Sequence, residues 1–92
     1  MSRNDMRAVI VELQQAINEG GGAAYFLAES YLSFYRRGYP VELYGFVNLD
    51  APNRDLFHRM MDLRHIQGWS DSELHQMFLF CEEYVNSLKL SD

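Results

Sequence analysis

Apolar residues recur three and four positions apart in four stretches of this chain, a spacing that an α-helix converts into a continuous buried face. In the first stretch, from about residue 4 to 19, Met6, Val9, Ile10, Leu13, Ala16 and Ile17 form one stripe. Ser2 or Asn4 suits its N-cap, and Asp5 sits where the helix dipole favours a carboxylate. The second stretch, from about 23 to 37, reads AAYFLAESYLSFYRR. Ala24, Leu27, Ala28, Tyr31, Phe34 and Tyr35 share a face, and Tyr25, Phe26 and Leu32 widen it. Only Glu29, Ser30 and Ser33 mark a wet side. A helix apolar around most of its circumference belongs at the centre of a fold.

The third stretch, about 51 to 65, opens on Asp50 as N-cap with Pro52 in the first turn, and carries Leu56, Phe57, Met60, Met61 and Leu63. The fourth, about 71 to 89, has the clearest start: Ser70 and Glu73 read as a capping box, with Trp69 poised to staple onto Leu74. Leu74, Met77, Phe78, Cys81, Tyr84, Val85 and Leu88 then repeat at helical spacing.

The breaks between these stretches are short. Gly20, Gly21 and Gly22 turn the first helix into an antiparallel neighbour, and Gly68 separates the last two. Residues 39 to 49 admit two readings: a short helix opening at Pro40 and running through Tyr44, or an extended segment carrying Val41, Leu43 and Phe46. The helical turn is preferred, because a lone strand has nothing to pair with. The expected fold is all-α, a compact bundle of four main helices with a short helical or irregular connector between helices 2 and 3. With 92 residues it reads as a single domain spanning 1–92.

Charge and cysteine content narrow the function. Eight basic against thirteen acidic side chains leave a formal charge of -5, which makes nucleic acid an unlikely partner, since binding it requires a basic footprint. One cysteine precludes an internal disulfide, and neither a secretory leader nor an apolar run of membrane length is visible. A reducing cytoplasm is the expected location.

Chemistry-bearing constellations are scarce. His58, His65 and His75 come without the acidic or cysteine partners of a metal site, so no metal and no cofactor is expected. Cys81 has no activating neighbour, no nucleophile elbow is present, and the glycine triplet follows a helix and lacks a phosphate-loop lysine. Glu29, in the most apolar helix, is expected to pair with Arg59 or Arg64. No catalytic residue is assigned and the chain is not expected to be an enzyme.

The candidate binding surface is the end of the second helix, where Tyr35, Arg36, Arg37 and Tyr39 bring rings and guanidinium groups together. Tyrosine and arginine dominate interface hot spots. The competing reading is that the rings belong to the core while the arginines, followed by Gly38, complement the carbonyl end of the helix.

The stretch from Ala24 to Leu63 resembles an uncharacterised family of small bacterial proteins found on plasmids and integrative elements. Phe26-Leu27, Tyr35, Gly38-Tyr39-Pro40, Glu42-Leu43, Leu49-Asp50 and Leu56-Phe57 carry the likeness. Arg36 and Arg37 depart from it, standing where the family pattern is small or polar. The resemblance implies a helical fold and a mobile-element setting, and no catalytic residue.

These readings together lead to a non-catalytic protein-interaction module, an accessory factor or inhibitor encoded by a mobile element or phage. The alternative is a binder of a small nucleotide-like ligand, at an oligomer interface or between helices. A homodimer fits either, with Tyr39, Tyr44 or Phe46 as exposed rings of a self-complementary patch.

Overall fold

Helical periodicity becomes structure in the order α1 (Arg3–Asn18), α2 (Gly21–Tyr35), α3 (Tyr44–Val47), α4 (Ala51–Met61), a 3-10 turn at Leu63–His65, and α5 (Asp71–Leu90). This computed structural model describes residues 3–90, and side chains from residue 5 to residue 89. Among the described residues there is no strand, and no helix is long and apolar enough to cross a membrane.

α2 is the axis of the fold. It packs on α1, α3, α4 and, most extensively, α5, as its near-continuous apolar surface requires. Met6, Leu13 and Ile17 of α1 meet Leu27 and Tyr31 of α2, Met60 of α4, and Leu74, Met77 and Cys81 of α5 in one buried cluster. The radius of gyration is 12.5 Å, close to the roughly 12 Å of a tightly packed chain this long.

Local chemistry explains where the helices begin. Gly20 and Gly21 take φ of 78° and 88°, a left-handed region that side chains other than glycine's rarely enter. That reversal lets α2 start at Gly21, two residues before the expected Ala23. The side chain of Asp50 caps α4, accepting from the Asn53 amide at 3.1 Å, with Pro52 in the first turn. Asp5 lies in the first turn of α1; the expected caps Ser2 and Asn4 fall outside the described side chains.

Four expectations are corrected. α2 ends at Tyr35, because Arg36 is extended (φ -144°, ψ 148°); Arg36 and Arg37 lie beyond the helix. The third helix stops at Met61, its chain tightens into the 3-10 turn, and Ile66 then drops into the core at 2% exposure. Ser30, placed on the wet side of α2, is buried. At the start of α5 the Ser70 half of the capping box is present, the Glu73 amide donating to Ser70 Oγ at 3.5 Å, and only the other half departs. Glu73 itself turns to Arg7 of α1 at 2.6 Å, so that carboxylate ties two helices together. Trp69 stays 40% exposed while Ile66 supplies the apolar contact of the turn.

Tyr31 joins the two most closely packed helices. Its ring is fully buried, and its hydroxyl donates to the Leu74 carbonyl at 2.7 Å. Burial pushes the phenol far above its ordinary value of 10.0, because a phenolate there has no water around it. In the unfolded chain the phenol ionises near 10, so above that pH the unfolded state binds fewer protons and stability falls. Urea midpoints are therefore expected to hold up to about pH 10 and drop beyond it. Tyr31→Phe should flatten the alkaline drop, while costing about 1 kcal/mol at neutral pH for the lost hydrogen bond.

Candidate functional site

The end of α2 and the segment after it form a ring cluster on α5. The Tyr35 ring stacks on Tyr31 at 6.2 Å and tilts against Phe78 at 5.1 Å. Its hydroxyl donates to Asp71 Oδ1 at 3.2 Å and lies 3.4 Å from His75 Nδ1. Tyr39 meets Phe78 edge-on at 5.7 Å and donates to Glu82 Oε2 at 3.0 Å. Arg36 lays its guanidinium over the same Phe78 ring, 4.8 Å from the centroid. Arg37 is exposed. Burial and then the bond to Asp71 raise the Tyr35 phenol; for Tyr39 the bond to Glu82 is the larger cause, and burial adds to it. Both hydroxyls thus stay protonated donors.

Tyr35, Arg36 and Tyr39 are therefore brought together, on Phe78. Both rings are half-buried against α5, and their hydroxyls are taken by carboxylates. The carbonyl end of α2, assigned from sequence to Arg36 and Arg37, is served instead by Arg64 from the 3-10 turn. Its Nη1 donates to the Phe34 carbonyl at 2.9 Å and its Nη2 to the Tyr35 carbonyl at 3.0 Å. The same guanidinium lies 4.8 Å over the Phe34 ring and 5.3 Å over the Tyr35 ring. Arg59 pairs with Glu12 and with Asp55, so Glu29 has neither expected arginine as a partner.

The connector between α2 and α4 is more built than the sequence implies. Pro40 to Glu42 is irregular, and the helical turn comes after Leu43, as α3, rather than ending at Tyr44. Its inner side is fixed by two contacts. A Cβ on Gly45 would overlap the Phe26 ring, falling on Cδ1 and 3.0 Å from Cε1, so α3 sits this close to α2 only because residue 45 is glycine. Phe46 packs on Phe57 at 5.3 Å and edge-on to His58 at 5.6 Å. Its outer side is bare: Leu43 is 66%, Tyr44 74% and Val47 68% exposed. Of the three rings expected at the surface, only Tyr44 is there; Phe46 and Tyr39 are packed. Leu43 and Val47 escaped sequence reasoning. The available signal was a glycine at the second position of a four-residue helix, too short to bury both its sides.

Two hollows flank this turn. One, of about 350 Å³, is an apolar groove beside Leu43 and Met61, floored by Phe34 and Phe57. The other, of about 590 Å³, lies between α2 and the connector, with Tyr25, Phe26 and Tyr44 as rings and Glu29 and Glu42 as its acids.

Elsewhere, reactive groups are dispersed or enclosed. Among the described residues, no three His, Cys, Asp or Glu side chains converge as metal ligands. Cys81 is fully buried, and burial pushes its thiol up to about 12, which keeps the nucleophilic thiolate from forming near neutral pH. No known protein family, curated protein or solved structure matches the chain.

Proposed function

We propose that this chain is a non-catalytic interaction module that docks a protein partner through the outer side of α3 and the groove beside it. The observation that carries the reading is the bare trio Leu43, Tyr44 and Val47 on a turn whose inner side is fastened to α2 and α4. Large apolar side chains held out together cost free energy in water, and a partner that covers them recovers it. A fastened surface also loses little conformational freedom on binding. The resemblance of residues 24–63 to small proteins of plasmids and integrative elements supports an accessory factor or inhibitor in that setting.

The nucleotide-like alternative at Tyr35, Arg36, Arg37 and Tyr39 has less support. Asp71 and Glu82 occupy the tyrosine hydroxyls, and their charge opposes a phosphate beside Arg36. A homodimer through α3 would bring together two chains of net charge -5 each.

Photo-crosslinking in the source cell tests the docking surface. A benzophenone side chain at Tyr44 is expected to give one discrete adduct, whereas one at Val11, exposed on α1 at 48%, gives none. Leu43→Asp with Val47→Asp should cut the Tyr44 adduct at least about tenfold, since burying two charges in an apolar contact is prohibitive. No adduct at Tyr44, or one indifferent to the aspartates, contradicts the reading. An adduct of twice the chain's mass identifies a homodimer in place of the partner.

A further inference from the structure

We propose that the hollow between α2 and the connector takes an arginine side chain of that partner, an inference that rests on the docking reading and specifies its chemistry. The hollow is bounded by aromatic groups from α2 and α3, Tyr25, Phe26 and Tyr44, and by carboxylates from two separate segments, Glu29 on α2 and Glu42 on the connector. Among the described residues, neither carboxylate makes an ion pair: the arginines expected to neutralise Glu29 are committed to Glu12, Asp55 and the end of α2. No basic side chain lines the hollow. Phe26 is buried and stacked on Phe57, so the walls offer the rings of Tyr25 and Tyr44 and two carboxylates, with no cation among the lining residues.

A guanidinium meets both requirements at once. Its plane stacks on aromatic rings, and its fork of N–H donors bonds carboxylates in pairs. An ammonium lacks the flat face and is more strongly hydrated, so lysine is the poorer occupant. The volume of about 590 Å³ falls within the range of specific ligand sites and has room for more than one side chain, so the residues flanking the arginine enter with it. Tyr44 is shared: it walls the hollow and stands at 74% exposure beside Leu43. A partner segment that covers Tyr44 therefore lies at the edge of the hollow, where its arginine can enter. The net charge of -5 favours the approach of such a basic segment.

The test uses the full chain, isotope-labelled for NMR, with N-acetyl-arginine methylamide as probe and the citrulline analogue, equal in shape and uncharged, as control. Saturable shifts are expected at the amides of Tyr25, Glu29, Glu42, Tyr44 and Gly45 with arginine and not with citrulline. Glu29→Gln with Glu42→Gln should weaken binding about tenfold or more; Glu29 is half-buried and Glu42 exposed, and both replacements keep the side chain's size, so the helical circular-dichroism spectrum is expected to stay unchanged. Absence of localised saturation, equal binding of citrulline, or unaltered affinity in the double variant would overturn the proposal. The crosslinking assay separates the two claims. If the aspartates abolish the Tyr44 adduct and the glutamines do not reduce it, the arginine site falls and the docking surface stands. If the aspartates change nothing, the docking surface falls.

Discussion

Phe78→Ala is expected to destabilise the fold by about 3–5 kcal/mol, the range for emptying a large aromatic site in a packed core. Phe78 is 2% exposed, and it is the ring on which the end of α2 and the start of the connector converge. Tyr35, Tyr39 and His75 pack on it at 5.1, 5.7 and 6.1 Å, and Arg36 covers it at 4.8 Å. Alanine removes all four contacts together and leaves a void whose neighbours are bound elsewhere. Tyr35 is held by Asp71 and Tyr39 by Glu82, so neither ring can collapse inward without breaking a hydrogen bond. A chain of 92 residues has a total stability of roughly 5–14 kcal/mol at the usual value per residue, so this one change removes about a fifth of it or more. Urea unfolding measures it; a loss below about 1 kcal/mol would mean that the ring cluster is not packed as described.

The second large effect separates two sets of arginines. Arg64→Ala is expected to cost about 2–3 kcal/mol, because two partly buried carbonyls at the end of α2 lose a charged donor and two rings lose the cation lying on them. Arg36→Ala should cost only about 0.5–1 kcal/mol, the worth of an exposed cation on a ring. Arg37→Ala should fall within about 0.5 kcal/mol of the parent, as surface changes generally do. Arg64→Lys discriminates further: an ammonium is a compact point charge without the planar fork that reaches both carbonyls while lying on two rings, so lysine should recover less than half of the loss. Equal losses at Arg36 and Arg64 would return the role of helix cap to the local arginines. Thermal or urea denaturation of the four variants under one set of conditions makes the comparison.

That contrast also shows what was legible beforehand. The α1 stripe, the central place of α2 and the Asp50 cap all follow from interactions within a few residues of the chain, where spacing alone carries the information. Arg64 reaches the end of α2 from about 30 residues away, and no local pattern marks it over Arg36 and Arg37. Glu73 likewise fits a capping box by spacing, yet its carboxylate pairs with Arg7, 66 positions distant. Ser30 reads as solvated because its side chain is polar, but the helix carrying it is surrounded by others, so it is buried with the rest. The candidate surface was half visible. Tyr35, Arg36 and Tyr39 do gather in space, but as packing on Phe78; the bare residues came one segment later. Leu43 and Val47 look like core residues in sequence, and the packing of Gly45 on Phe26 and of Phe46 on Phe57 turns them outward.

The functional reading depends on α3 being an ordered display and not a loose loop. Backbone order parameters from ¹⁵N relaxation of the free protein test this directly. The account predicts values of about 0.8 or higher from Leu43 to Leu49, level with those in α2. Values below about 0.6 across that segment would contradict it, since side chains on so mobile a turn would present no fixed surface.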